Sequence, residues 1–203
     1  MWLTRTTETP EFFREWEIAA KARRTPSGYL TAEGLFSADG PDPASELLAA
    51  EFGPGLKGQA ADLGAGWGYL SAEILKQAPK IEALHLIESD HRAVELARKN
   101  VSDDRAEYHW ADATRPGELP NGMDLVVTNP PFHQGRATEP GLGQAFLKTA
   151  AALLKPKGKL LLVANRHLPY EATLRELFRN VATRVETGQF KVIEATRPQT
   201  RRR

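Results

Sequence analysis

Gln59-Ala60-Ala61-Asp62-Leu63-Gly64-Ala65-Gly66-Trp67-Gly68 is the stretch on which the fold turns. Its first five residues read as a short apolar strand, and a helical pattern opens at Tyr69. Between them glycines stand at alternate positions, which lets a backbone turn tightly and approach a ligand closely. The stretch is neither Gly-x-Gly-x-x-Gly nor Gly-Lys-Ser/Thr, so it matches neither the dinucleotide fingerprint nor a P-loop. Taken alone, it is equally a tight strand-to-helix turn that binds nothing.

Strands and helices alternate outward from it. Strands are expected at 59–63, 83–88, 106–110, 124–128 and 159–164, and helices at 69–77, 91–100, 144–154 and 170–180. Lys155-Pro156-Lys157-Gly158 reads as a turn. A last strand pair, 181–187 and 190–195, is linked by Gly188-Gln189, which suggests a hairpin. Upstream, Asp42-Pro43 reads as an N-cap followed by proline at the first helical position, opening a helix through Leu47, Leu48 and Phe52. Phe12, Phe13 and Trp16 mark an expected helix over 11–24, and 25–42 reads as loop. The alternation implies an α/β fold: a Rossmann-like, mostly parallel seven-stranded sheet, helices on both faces, and a C-terminal antiparallel hairpin. The expected organisation is an N-terminal helix and linker over 1–33, one domain over 34–197, and a basic tail over 198–203.

Composition narrows the function. With 41% hydrophobic and 26% charged residues, the chain is an ordinary globular protein. It has no cysteine, which excludes disulfides, thiolate metal sites and cysteine nucleophiles, and no metal is expected. No apolar run is long enough to span a membrane, and no signal peptide follows Met1. A cytoplasmic enzyme is expected, with its oligomeric state open. The net charge of +1 does not by itself imply a nucleic-acid partner. Basic residues do cluster: Lys21, Arg23 and Arg24 near the start, Lys155, Lys157 and Lys159 in the chain, and Arg197 with Arg201, Arg202 and Arg203 at the end.

Acidic residues close the second and third strands. Glu88 ends Leu86-Ile87-Glu88, where a carboxylate can accept from both hydroxyls of a ribose. Asp112 follows Trp110-Ala111, where it can accept from an adenine amine. Each is also readable as a solvated loop residue, and Asp90 as the cap of the next helix. The fourth strand runs into Asn129-Pro130-Pro131-Phe132. Two prolines fix φ and donate no N–H, so the Asn129 amide and the carbonyls there are rigid acceptors without ladder partners. Acceptors beside an aromatic ring suit a planar group bearing an –NH2. Accepting both N–H bonds of such an amine frees its lone pair, and the Asn129 side-chain oxygen and Pro130 carbonyl can do so. Phe132 can stack on an extruded base. No strong base is required, and His133 is expected to be a loop residue. These features fit guanine, adenine or glutamine equally.

Gly-x-Gly-x-Gly after an acidic residue resembles the pattern of class I S-adenosylmethionine-dependent methyltransferases. Gly34-Leu35-Phe36-Ser37, Asp42-Pro43-Ala44-Ser45, Asn129 to Gly135 and Asn165 to Tyr170 stand in an order similar to the catalytic half of the ribosomal RNA guanine-N2 methyltransferases of the RsmC type. The resemblance implies that Asp62, Gly64, Gly66, Gly68, Glu88, Asp112 and Asn129 serve S-adenosylmethionine. It also implies that Asn129, Pro130 and Phe132 hold a guanine of ribosomal RNA, of the small subunit, and that 34–45 lies near the cofactor. Adenine-N6 methylation of RNA or DNA is the alternative within this chemistry; a non-catalytic cofactor- or RNA-binding module is the alternative outside it. Members of that family usually carry a second methyltransferase-like domain ahead of the catalytic one, whereas here the motif region begins at Gly34.

Overall fold

A computed structural model describes residues 21–131, 133–134, 137–138 and 140–199. A two-stranded hairpin, β1 (Arg23–Arg24) and β2 (Leu30–Thr31), precedes helix α1 (Pro43–Ala49). The alternating units are β3 (Lys57–Leu63), α2 (Tyr69–Gln77), β4 (Lys80–Glu88), α3 (His91–Asn100), β5 (Ala106–Trp110) and β6 (Met123–Thr128), with a 3-10 turn at Pro116–Glu118. Short strands β7 (His133–Gln134) and β8 (Ala137–Thr138) pair with each other. Helix α4 (Pro140–Leu153), β9 (Leu154–Asn165), α5 (Tyr170–Leu177), β10 (Phe178–Glu186) and β11 (Phe190–Pro198) complete the chain.

The sheet runs β10-β11-β9-β6-β3-β4-β5. β3, β4, β5, β6 and β9 are parallel, and β11 pairs antiparallel with both neighbours. Strand order reverses beside β3: β4 and β5 lie to one side, β6 and β9 to the other. The C-terminal ends of β3 and β6 therefore border a crevice, where open α/β sheets bind ligands.

Side chains alternate between faces along each strand, so central strands must be apolar on both. Leu84, Leu86, Leu125 and Val127 pack with Leu48, Ile74 and Ala97 on one face. Ile87, Val126, Leu160 and Leu162 pack with Leu147, Ala150 and Leu174 on the other. Each fully buried leucine among them contributes about 1.5–3 kcal/mol by leaving water. Among the described residues no helix is long and apolar enough to cross a membrane.

Several expectations are corrected. Residues 21–24 bend and enter β1 instead of helix, and the expected loop over 25–42 contains β2; the rest of the expected first helix, 11–20, lies outside the described residues. The reason is tertiary. Asn100, at the end of α3, accepts from Leu30 N–H (2.7 Å) and donates to Leu30 and Trp67 carbonyls (both 2.8 Å). Helix α1 stops at Ala49, short of Phe52. Helix α5 stops at Leu177, because buried Phe178 instead pairs with Pro198 in the sheet. The expected turn at 155–158 lies within β9, where the ladder passes from Leu154 opposite Met123 directly to Lys159 opposite Leu125.

Gly64, Gly66 and Gly68 all have positive φ (73°, 55° and 94°), so the alternate spacing of glycines is a backbone requirement. Gly68 is the most constrained. A Cβ there would lie 2.9 Å from Val101 Cγ2 and 3.3 Å from Ala97 Cβ. Gly68→Ala combines left-handed strain with overpacking, and should cost about 2–4 kcal/mol in urea unfolding. A loss below about 1 kcal/mol would show that the turn against α3 is looser than it looks.

Candidate active site

A cavity of about 640 Å3 opens at the C-terminal ends of β3, β4, β5 and β6. That volume lies within the roughly 300–1,000 Å3 of small-molecule pockets. Gly64 and Gly66 form its floor, and Glu88, Ser89, Asp112 and Thr114 one side. Asn129, Pro130 and Pro131 form the facing side, and Leu142 and Phe146 from α4 supply an apolar wall. A Cβ on Gly64 would meet Phe146 Cε1 at 3.1 Å, so this glycine lets α4 close on the turn. A Cβ on Gly66 would meet nothing within 4 Å; its backbone faces open space.

The glycine turn is clamped to β4. Gly64 and Ala65 N–H donate to the Ile87 carbonyl at 2.9 and 3.1 Å. Gly66 N–H donates to Glu88 Oε2 at 2.9 Å, and Asp90 N–H to Glu88 Oε1 at 2.8 Å. The half-buried Glu88 carboxylate thus has each oxygen aligned by one backbone donor, with lone pairs remaining for a diol. At the next strand end, Asp112 Oδ1 accepts from Thr114 N–H (2.8 Å) and Oγ1 (2.7 Å). Those hydrogen bonds, with a smaller contribution from Arg115, hold its carboxyl below the usual carboxylate range. It remains an ionised acceptor at neutral pH.

Asp62 and Gly68 stand apart from the other expected residues. Neither lines the cavity. Asp62 is fully buried beneath the turn, where Ser71 Oγ donates to its Oδ2 at 2.7 Å. Its Oδ1 finds no partner among the described residues. Burial pushes the carboxyl up to about 7, partly opposed by the Ser71 hydrogen bond. The acid ahead of the glycines thus ties the turn to α2, while Gly64, Gly66, Glu88 and Asp112 line the cavity. Phe132 lies outside the described residues.

Asn129 is held by residues that sequence reading did not connect to it. Its Nδ2 donates to Asp42 Oδ2 and to Ser45 Oγ, both at 3.0 Å. Asp42 Oδ2 also caps α1 by accepting from Ser45 N–H at 3.0 Å. An ionised carboxylate only accepts, so it fixes the amide with nitrogen toward α1. Both amide hydrogens are then used, and Oδ1 is the atom left for an incoming group. The N-terminal segment carries a further aromatic to the cavity: Phe36 lies on its rim, 61% exposed, and Trp67 Nε1 donates to the Phe36 carbonyl at 3.0 Å. Only the order of motifs in 34–45 hinted at this; the contacts span more than 80 residues.

None of the described members of the basic clusters lines this cavity; Arg201, Arg202 and Arg203 lie outside the described residues. Lys155 is paired with Asp124 (2.6 Å) near the start of β9 and Lys159 with Glu194 (2.9 Å) midway along it, both away from the strand's C-terminal end. Arg23 pairs with Asp39. Among the described residues Arg115 lies near the cavity acid Asp112, and Arg92 is hydrogen-bonded to Asp90, two residues beyond Glu88.

Strand order, the glycine turn, acids at successive strand ends and a strand ending in Asn-Pro-Pro define a class I methyltransferase domain. The chain belongs to the methyltransferase small domain family, whose model matches residues 28–194. It is 36% identical over 166 residues to the ribosomal RNA small subunit methyltransferase C of Pectobacterium atrosepticum, covering 82% of this chain and 47% of that protein. It is 35% identical to the Escherichia coli protein of the same name, covering 81% and 48%. Among solved structures it is similar to the T. thermophilus 16S rRNA N2 G1207 methyltransferase (RsmC) in complex with AdoMet and guanosine. The TM-score is 0.71 at 33% identity, over 88% of this chain and 50% of that one. The mitomycin 7-O-methyltransferase MmcR shares the fold alone, at TM-score 0.58 and 19% identity. The chain thus spans about half the length of the curated relatives it matches.

Proposed function

We propose that this domain transfers a methyl group from S-adenosylmethionine to the exocyclic N2 amine of a guanine in ribosomal RNA of the small subunit. The observation that carries it is the tethered Asn129 amide, which lines the cavity with its nitrogen committed to Asp42 and Ser45 and its oxygen left to accept. An acceptor for an amine facing the methyl-donor residues across one cavity is what N-methylation needs. The choice of guanine in small-subunit RNA rests on the names of the relatives at 33–36% identity.

The residues present fit the cofactor. The positive-φ glycines bring backbone against the cavity without a Cβ, Glu88 offers both oxygens to a ribose, and Asp112 stands one strand further on to accept from an adenine amine. When bound, S-adenosylmethionine supplies an activated methyl group. Asn129 Oδ1 and the Pro130 carbonyl accept the two N–H bonds of the base amine, which frees its lone pair and stabilises the positive charge developing on nitrogen. The cavity walls of Leu142, Phe146 and the prolines limit water and hold the amine in line, an effect worth up to about 7–11 kcal/mol in favourable cases. The base must be unpaired or extruded to enter, and the cytoplasm is where such a substrate is met. Label from methyl-labelled cofactor should appear in small-subunit RNA. Its absence from RNA, with no binding of S-adenosylhomocysteine in calorimetry, would favour the non-catalytic reading.

Asp42 acts in this reading as a positioning residue. Asp42→Ser keeps a good helix cap but is too short to reach Ser45 N–H and Asn129 together. Turnover should fall about tenfold, the value of one weakened charge-assisted hydrogen bond. Thermal midpoint and S-adenosylhomocysteine affinity should stay near the parent. In Asp42→Asn the side-chain oxygen can accept both bonds, so turnover should recover; equal losses in both variants would rule the tether out.

A further inference from the structure

The outer edge of the sheet holds a cluster that the methyl-transfer site does not use. His85 lies on β4, and Glu107 and His109 on β5; the register sets His85 opposite Glu107 and Ile87 opposite His109. Strand alternation therefore puts all three on one face. Helix α3, which packs on β5, covers the other face with Ala97 against Leu84 and Leu86. Helix α4 sits over β6, β9 and the 3-10 turn. The cluster thus lies at the margin of the face that carries α4, and among the described residues no helix packs over it.

Its geometry is close to a ligand set. His85 Nδ1 lies 3.0 Å from His109 Nε2 and 3.3 Å from Glu107 Oε2, and all three atoms fall within 4.8 Å of one another. Ligands about 2.0–2.2 Å from a tetrahedral zinc ion are separated by about 3.3–3.6 Å, so both contacts of His85 lie within a few tenths of an ångström of ligand spacing. A proton on His85 Nδ1 serves one of its two neighbours well. A cation shared by the three atoms uses a lone pair from each. His85 is 8% exposed, so packing holds one ligand in place, while the more exposed Glu107 and His109 leave a path from solvent.

We propose that His85, Glu107 and His109 bind a divalent late first-row transition metal ion, zinc or its neighbours, with water completing the coordination. Two imidazoles and one carboxylate suit these ions, and poorly suit magnesium or calcium, which prefer all-oxygen sets. The ion would staple edge strand β5 to β4, the two strands whose ends carry Asp112 and Glu88. The reading is independent of the methyl-transfer assignment. The sequence offered no hint of it, because the absence of cysteine removes only thiolate sites and the His–His approach exists only once β4 and β5 are in register.

The test uses the full chain without an affinity tag, stripped with EDTA and titrated with zinc chloride by calorimetry. One-to-one saturable binding is expected, weakened about tenfold or more in each of His85→Gln, His109→Gln and Glu107→Gln. Zinc should raise the thermal midpoint of the parent in a concentration-dependent way and not that of the variants. Because Glu107 is exposed, Glu107→Gln folds even if a histidine variant does not, and it alone then decides. No saturable binding, or binding unchanged in the variants that fold, would reduce the cluster to a hydrogen-bonded histidine pair and overturn the proposal.

Discussion

Asn129→Ala should lower turnover by about 100- to 1,000-fold, the effect of deleting one preorganised group that meets charge developing in a transition state. The loss should fall on kcat. In the proposed function Asn129 meets the amine rather than the ribose or adenine end of the cavity, so S-adenosylhomocysteine should bind with near-parent affinity. Folding should also survive. Truncation frees Asp42 and Ser45 from one donor, but Asp42 still caps α1 through Ser45 N–H. Near-normal turnover would remove Asn129 from the chemistry. Lost cofactor affinity at normal stability would move it to the donor side.

Glu88→Ala should fail in the opposite manner. Two charge-assisted hydrogen bonds to ribose hydroxyls are lost, together with the anchors of Gly66 and Asp90 N–H. Allowing for water that replaces part of them, about 3 kcal/mol disappears, which is roughly a hundredfold in the dissociation constant for S-adenosylhomocysteine. Turnover at saturating cofactor should fall much less, since nothing at the amine end changes. Affinity within a few fold of the parent would mean that Glu88 only braces the glycine turn.

The two variants separate because the site is built from two supports. The donor side hangs on β3, β4 and β5, through one turn whose three glycines all sit at positive φ. The acceptor side hangs on β6 and is braced from α1, across the switch in strand order.

Much of the first support was legible in the residues. Tyr69–Gln77, His91–Asn100 and Ala106–Trp110 form where pattern and caps place them, Asp90 accepting from Arg92 N–H as the cap of α3. Glu88 and Asp112 are local to strand ends, and a strand end can be read from hydrophobic pattern. The place of Asp62 was not legible, because the pattern that marks the motif does not say which way the side chain points; Ser71 holds it in the buried interior. In the second support the strand and its Asn-Pro-Pro end were legible, but the brace from α1 was not. Asp42 reads as a helix cap and is one, yet its contact with Asn129 depends on α1 docking across the sheet. Residues 21–31 show the same limit, since β1 and β2 owe their form to side chains such as Asn100, far along the chain.

The most direct measurement is mass spectrometry of nucleosides from small-subunit RNA incubated with this chain and S-adenosylmethionine. The proposed function predicts N2-methylguanosine, present with the parent protein and absent with Asn129→Ala. N6-methyladenosine instead would contradict the choice of base. No methylated nucleoside under conditions where S-adenosylhomocysteine binds would contradict the assignment of RNA as substrate.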